Sequence, residues 1–351
     1  MKKICIVFGT RPEIIKLSHI IKELKKRKLE YFLINSNQHY DKDMSKRFLK
    51  ELKIGKIKYE FKNTNQKKFV NKFYIRCCEI IKYEKPNIVI VQGDTNSSMV
   101  GAFACKKISR ETNKNIKLIH VEAGLRSYDA RMLEEINRIA IDHMSDILIA
   151  PTKIQKNNLL KEKIKKKIYV FGNTISDSVD YFKKRLKNNK SNLGKYFLIT
   201  LHRRELLTNI NALKKLIFII QKLSLRFNVD ILFPVHPFTK KILKKNKIKL
   251  HKNIITKKPI GYVEFLSLIT NSIFILSDSG GIQEEACILG RPLITLRKNT
   301  ERPETLKIKS NHLAFLNFKQ IEKIILKNIF KKTNWKNPYG NKVSKKIIDI
   351  L

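Results

Sequence analysis

Ten short apolar runs, each four or five residues long, punctuate this 351-residue chain at 4–8, 31–34, 87–91, 117–121, 147–150, 168–171, 197–200, 231–235, 273–277 and 293–296. Between them lie longer stretches, such as 12–25, 97–108, 134–144, 209–225 and 281–289, in which apolar residues recur every three or four positions. Runs rich in Ile and Val are too short for helices and suit strands buried on both faces, whereas the intervening period is that of an amphipathic helix. Strict β/α alternation predicts parallel sheets with helices on both faces. The apolar pattern lapses in KKRLKNNKSNLGK, and a fresh strand follows. Two Rossmann-like domains are therefore expected, at 1–172 and 173–335, with 336–351 a C-terminal helix packing back on the first, in line with roughly 100–200 residues per domain. Two such halves face to face would leave a cleft. Open sheets of this kind take ligands beyond the carboxyl ends of their strands, so residues just after each strand carry most weight.

The formal net charge of +44 raises the possibility of a nucleic-acid partner, because basic footprints gain affinity from phosphates. The distribution argues against it. Lysines (59, against 15 arginines) are scattered in patches such as KKRK and KEKIKKK, while Arg11, Arg126, Arg131, Arg138, Arg203, Arg204 and Arg302 cluster in segments poor in lysine. Guanidinium groups in such segments suit bidentate anion recognition. No apolar run approaches the ~20 residues of a membrane span, and MKKICIVFGTRPE meets charge before a signal core forms, so a cytoplasmic protein without membrane contact is expected. Five cysteines without CxxC spacing support neither a disulfide framework nor a metal site. They are read as reduced and mostly buried. A lone Gly9 stands where a dinucleotide site would show GxGxxG, so no cofactor is expected.

Candidate chemistry sits at the strand ends. In FGTRPEIIK, Pro12 suits a first helical turn, and Arg11 and Lys16 add charge to free N–H groups, although a plain turn with a cap explains the Gly, Thr and Pro equally well. In VIVQGDTNSS, Asp94 follows its strand directly, as a helix cap or as a functional acid. Glu122 ends an apolar strand in LIHVEAGLRS, where a carboxylate costs free energy unless paired or used. Glu134 and Glu135 open the helix of YDARMLEEINRIAIDH. Three carboxyl groups, Asp94, Glu122 and Glu134, at element ends of one half suit proton transfer on two faces of a substrate. In the second half, Ser279, Gly280 and Gly281 lie between a strand and a helix, where bare N–H groups can hold a diphosphate. Glu285 follows one turn later, within reach of ribose hydroxyls. His202, Arg203 and Arg204 in LITLHRRE add positive charge, and His236 in FPVHP is equally readable as structural.

Taken in order, GTRPEIIK, GDTNS, HVEAGLRS, EEINRIAIDH, GNTISD, LHRRE, FPVHP, SDSGGIQEEACILGRP and TERPE resemble the successive motifs of the non-hydrolysing UDP-N-acetylglucosamine 2-epimerase family, from about residue 4 to about residue 305. The resemblance implies a GT-B-like fold, two Rossmann-like domains around a central cleft, and a homodimer. It implies interconversion of UDP-GlcNAc and UDP-ManNAc without cofactor or metal, by elimination of UDP to a glycal and readdition, in the supply of surface polysaccharide precursors. By motif, Asp94, Glu122 and Glu134 match the catalytic carboxylates and His202 the histidine near the diphosphate. Arg11 and Lys16 match the N-terminal substrate residues. Ser279, Gly280, Gly281, Glu285 and Arg302 match the UDP set, with Arg126, Arg203 and His236 as further substrate contacts and Phe265 at the uracil.

Two departures stand out. Leu133 replaces a Pro before the two glutamates, and Asp41 in SNQHYDKDM falls where substrate-activated members carry Gln, so allosteric activation is not expected. Relatives acting on UDP-2,3-diacetamido-uronic sugars look similar here, which keeps them as an alternative substrate class. Arg11-Pro12-Glu13 favours an epimerase over the hydrolysing relatives. A GT-B glycosyltransferase would share the nucleotide half but has no need of paired carboxylates in the first.

Overall fold

In the computed structural model, residues 2–38, 48–61, 69–186, 194–258, 260–329 and 333–351 are described. Seven strands form the first sheet: β1 (Ile4–Phe8), β2 (Tyr31–Asn35), β3 (Tyr59–Glu60), β4 (Ile88–Gln92), β5 (Lys117–Val121), β6 (Ile147–Ala150) and β7 (Lys167–Val170). All neighbours run parallel in the order 3-2-1-4-5-6-7. The second sheet holds β8 (Tyr196–Thr200), β9 (Asp230–Pro234), β10 (Ile254–Lys257), β11 (Phe274–Ser277), β12 (Leu293–Thr295) and β13 (Asn311–Leu313). It is also wholly parallel, ordered 10-9-8-11-12-13. The two orders are the same Rossmann winding, and each reverses direction between its first and fourth strands, β1/β4 and β8/β11.

The ten apolar runs all became strands, to within a residue or two at their ends. The sequence reading lacked β3, β10 and β13. Each is an outer strand of two to four residues, and β3 and β10 carry exposed positions, so none shows a continuous apolar run. The helices that bear on the site are α1 (Arg11–Lys26), α2 (Phe69–Glu84), α3 (Asn96–Glu111), α4 (Leu133–Met144), α5 (Lys153–Lys161) and α6 (Ile175–Leu186) in the first half. In the second they are α7 (Arg204–Thr208), α8 (Ile210–Phe227), α9 (Pro237–Lys245), α10 (Tyr262–Asn271) and α11 (Gly280–Ile288).

The chain divides into two compact units, residues Met1–Ser178 with Tyr339–Leu351, and Val179–Pro338. The division falls inside α6. The last helix, Val343–Asp349, belongs to the first unit: Asp177 accepts from the N–H groups of Val343 (3.1 Å) and Ser344 (2.7 Å), and Arg27 at the end of α1 pairs with Asp349 (2.6 Å). Each unit has its own core. One packs Cys5, Val7, Val89 and Val91 of the sheet against Phe73, Cys77 and Ile81 of α2, and the other packs Phe197, Ile199, Phe233 and Leu276 against Leu213, Leu216 and Ile220 of α8. Cys5, Cys77, Cys105 and Cys287 are buried, Cys78 is half-buried, and all five are free.

Glu84, at the end of α2, ties the outer strand to the centre of the first sheet. Its buried carboxylate pairs with Lys3 and Lys58 (2.6 Å each) and accepts from the Tyr59 hydroxyl. Burial pushes this carboxyl up, but the bonds from Lys3, Lys58 and Tyr59 outweigh it and hold it down at about 2. Since the folded value lies below the ordinary 4.5, the stabilisation is fully present above that pH and is lost as pH falls toward 2. Glu84→Gln is expected to cost ~1–3 kcal/mol at neutral pH. Urea denaturation at several pH values should show the gap from the parent protein closing between about pH 4.5 and 2; a pH-independent gap would assign the loss to packing.

Candidate active site

At the carboxyl end of β1 the chain turns through Gly9 into Thr10, the N-cap of α1, with Pro12 in its first turn. Gly9 is required by close approach: a Cβ there would lie 1.8 Å from the Ser36 hydroxyl and 2.2 Å from that of Ser97. Two of the N–H groups at this corner are already taken. Glu13 Oε2 accepts from the backbone of Gly9 (3.0 Å) and Thr10 (2.7 Å), while Oε1 accepts from the hydroxyls of Thr95 and Ser98 (2.7 Å each) at the start of α3. Burial pushes the Glu13 carboxyl above its ordinary range, against the pull of these donors. An internal anion thus occupies this corner and joins the loops after β1 and β4. Gln38, in the loop after β2, extends the join by accepting from the N–H (3.0 Å) and hydroxyl (2.8 Å) of Ser97. His39 and Asp41, on which the expectation about allosteric activation rests, lie outside the described residues.

Glu122 stands at the end of β5 with φ +74, a conformation that costs a non-glycine residue about 1–3 kcal/mol and persists where its surroundings impose it. Here they do. Lys16 donates to Oε1 at 2.5 Å from α1, Asn173 donates to the same oxygen at 3.2 Å, and Gln92 donates to Oε2 from the end of β4. Lys16 and Glu122 are both buried. In the turn after the neighbouring strand β4, Asp94 Oδ2 accepts from the buried Arg138 of α4, whose other terminal nitrogen donates to Glu135. Asn137 donates to the Asp94 carbonyl at 3.0 Å. The Asp94 side chain remains 29% exposed.

The two glutamates that open α4 separate. Glu135 is buried and accepts from the N–H groups of Ser127 and Tyr128 and the Ser127 hydroxyl, and those bonds with Arg138 hold its carboxyl below the ordinary range despite burial. Glu134 is exposed. Arg126, expected to touch substrate, is turned into the protein. It forks onto Glu162, the C-cap of α5 (2.6 and 2.5 Å), and donates to Asp142 (2.8 Å) and the Leu125 carbonyl (2.6 Å). Asp142 also lies 2.7 Å from His120 Nδ1, and His120 Nε2 lies 2.9 Å from the Gly93 carbonyl. This places Arg126 in the frame behind the β4 and β5 loops. Arg11 is half-buried, 5.5 Å from the Phe48 ring centre.

In the second unit, His202 and Arg203 follow β8, and Asp278 and Ser279 follow β11. Ser279 is the N-cap of α11, so the first N–H groups of that helix belong to Gly280 and Gly281. A Cβ on Gly281 would meet nothing within 4 Å, whereas one on Gly280 would lie 3.0 Å from Glu301 Oε1, so neither packing nor backbone conformation requires glycine at Gly281. Behind it sits an arginine–glutamate cluster. Arg203 (3.2 Å) and Arg297 (2.8 Å) pair with buried Glu301, and Arg302 Nε pairs at 2.5 Å with fully buried Glu284. Glu285 of α11 is buried beside Tyr262 of α10, whose phenol burial and this carboxylate push well up. His236 caps α9, accepting from the Phe238 N–H at 3.3 Å, and Phe265 is half-buried on α10.

Two parallel sheets wound in the same Rossmann order, each with helices between its strands, define a GT-B-like protein. A family model described as UDP-N-acetylglucosamine 2-epimerase matches residues 22–351. The UDP-N-acetylglucosamine 2-epimerase of Methanocaldococcus jannaschii is 43% identical, the match covering 99% of this chain and 98% of that one. A crystal structure of the M. jannaschii UDP-GlcNAc 2-epimerase with UDP-GlcNAc and UDP superposes with a TM-score of 0.91 at 44% identity, covering 99% of each chain. The UDP-2,3-diacetamido-2,3-dideoxy-D-glucuronate 2-epimerase of Pseudomonas aeruginosa is 34% identical over 89% of this chain and 88% of its own. The chain belongs to the UDP-N-acetylglucosamine 2-epimerase family.

Several polar residues of the site were not picked out by strand-end reading: Glu13, Gln92, Glu135, Asp278, Glu284 and Glu301. Thr10-x-x-Glu13 fits the Ser/Thr-x-x-Glu capping box, a signal that could have drawn attention to Glu13. Glu13→Gln is expected to destabilise the protein by ~1–3 kcal/mol, because an amide presents N–H where four donors already converge. Chemical denaturation measures it, and an unchanged midpoint would mean that the carboxylate is not the tie between these loops.

Proposed function

We propose that this protein interconverts UDP-N-acetylglucosamine and UDP-N-acetylmannosamine. The observation that carries the proposal is the placement of two carboxylates, Asp94 and Glu122, at the ends of adjacent parallel strands, each held by a buried cation, Arg138 and Lys16. The C2 proton of such a sugar is weakly acidic. A carboxylate removes it as the C1–O bond breaks, the electron pair leaving with UDP and C1=C2 forming. Readdition of UDP with a proton delivered to the opposite face gives the epimer. The sequence is redox-neutral and needs two proton carriers, drawn from the three carboxylates proposed as catalytic, Asp94, Glu122 and Glu134, and an anchored leaving group.

The second unit supplies the anchor. Ser279, Gly280 and Gly281 present the start of α11 to the diphosphate. His202, Arg203 and Arg302 supply positive charge, Glu285 suits the ribose, and His236 and Phe265 complete the nucleotide contacts. Arg11 and Lys16 serve the sugar side of the first unit. Fixed positive groups around a departing phosphate oxygen are the electrostatic contribution that dominates many enzyme mechanisms. The higher identity to a UDP-N-acetylglucosamine enzyme than to a diacetamido-glucuronate enzyme favours the simpler sugar. The family resemblance extends the reading to a cytoplasmic homodimer supplying surface polysaccharide precursors.

Proton NMR of UDP-N-acetylglucosamine incubated with the protein in D2O tests the reading: the manno epimer should appear with deuterium at C2. Turnover confined to UDP-diacetamido-uronic sugars would replace the substrate, and exchange with no sugar would refute the reaction. Asp94→Asn, Glu122→Gln and Glu134→Gln are each expected to lower turnover by about 10²–10⁴-fold. Near-normal rates in any one removes that residue from the chemistry. Arg302→Ala and Glu285→Ala should weaken UDP binding in calorimetric titration, with Arg302→Ala also lowering stability because it leaves buried Glu284 without its cation.

A further inference from the structure

Asn173 is buried in the turn that leads from β7 into α6. Three bonds fix it. Its backbone N–H donates to the Tyr339 carbonyl at 2.9 Å, its Oδ1 accepts from the N–H of Ile175 at 3.1 Å, and its Nδ2 donates to Glu122 Oε1 at 3.2 Å. Because Oδ1 faces an N–H, the end of the amide that meets the carboxylate is the nitrogen, a donor against an acceptor. The bond to Ile175 is the local Asx-type turn, so it holds the side chain against the start of α6 independently of Glu122.

The backbone of this turn is set from far along the chain. The Tyr339 carbonyl accepts from the Ser176 hydroxyl at 3.3 Å as well as from Asn173, and Tyr339 is fully buried. Gly172, with φ +111, packs so closely against the same carbonyl that a Cβ would lie 2.1 Å from its oxygen. Asp177, one turn further on, takes the N–H groups of Val343 and Ser344. The chain from Tyr339 into the last helix thus crosses the 172–177 segment as a strap.

We propose that Asn173 is a positioning residue for Glu122 and that this strap holds it in register. The Glu122 carboxylate takes its donors from three elements, Lys16 of α1, Gln92 of β4 and Asn173 after β7. Lys16 brings the charge on a long stem with many rotamers. Asn173 brings no charge, but it is anchored through both its backbone and its own side chain, so it fixes the direction in which the carboxylate is presented. It acts through Glu122 and does not itself meet the sugar. The proposal rests on the reading of Glu122 as a proton carrier.

Asn173→Ala keeps the backbone bond to Tyr339 and removes the amide. Turnover should fall by about tenfold or more while KM changes much less, the pattern of a lost orientation rather than a lost substrate contact. The same substitution made in Glu122→Gln should cost no further turnover. Parent-like turnover of Asn173→Ala, or losses that multiply in the double variant, would overturn the proposal. Gly172→Ala cannot leave the Tyr339 carbonyl where it lies, so it should lower turnover in the parent and add little in Asn173→Ala; parent-like turnover would overturn the role of the strap. Labelling with ¹⁵N-asparagine reads the contact apart from activity. The Asn173 side-chain amide, assigned by its absence from the spectrum of Asn173→Ala, should move in Glu122→Gln, and an unmoved signal overturns the proposal. Parent-like turnover of Glu122→Gln would instead refute the reading of Glu122, and the amide signal would then decide whether Asn173 holds that side chain.

Discussion

A buried carboxylate stitches together the two loops at each point where strand order reverses. In a doubly wound sheet those loops run off adjacent strands toward opposite sides, and no ladder hydrogen bonds join them beyond the strand ends. Glu13 does this in the first unit, receiving donors from the loop after β1 and from the cap of α3. Asp278 does it in the second, from the end of β11 to the backbone after β8. The chemistry is the same although the acid sits on opposite partners, a helix following the first strand in one case and the end of the fourth in the other. Several charge-assisted bonds to one desolvated anion are stronger than the same number of neutral bonds. They fix loop geometry where a ligand would otherwise have to order it.

The second consequence is the character of α4. A helix beside a sheet normally buries an apolar stripe, yet Glu135, Arg138 and Asp142, spaced three and four apart, are buried on this one. Each serves a different loop: Glu135 holds the turn at Ser127, Arg138 holds Asp94, and Asp142 holds His120, Gly124 and Arg126. The helix works as a rigid comb of charges behind the ends of β4 and β5. Ile141 packs in the core between them.

These arrangements explain what could be read from the sequence and what could not. Central strands were legible because burial on both faces leaves an unbroken Ile/Val run, whereas β3, β10 and β13 lie toward or at sheet edges and are too short or too exposed to leave one. Asp94 and Glu122 were legible as carboxylates ending apolar strands. Glu13 was hidden because an acid in a first helical turn is normally a cap, and its second pair of donors is more than 80 residues away. Glu134 and Glu135 cannot be told apart by period, since Arg138 and Asp142 lie four and eight from one and three and seven from the other. The return of the chain from Glu135 to Ser127 decides between them, and that is a tertiary fact. Arg126 looked like a ligand for anions; its anions turned out to be Glu162 and Asp142.

The net charge of +44 therefore says little about the site. Scattered lysines on exposed faces are screened within about 10 Å at ordinary ionic strength and their long side chains hold no fixed geometry. The arginines near the proposed diphosphate position are different: Arg203, Arg297 and Arg302 are each engaged by Glu301 or Glu284 behind them. The carboxylates hold these guanidiniums in fixed positions before any anion arrives. Pairing the charge lowers the raw attraction for phosphate, and in exchange the guanidiniums are fixed in place. For the proposed reaction, in which UDP leaves, stays bound and returns, a fixed cradle of moderate strength serves better than a large flexible one, because the leaving group has to be stabilised without being held against its return.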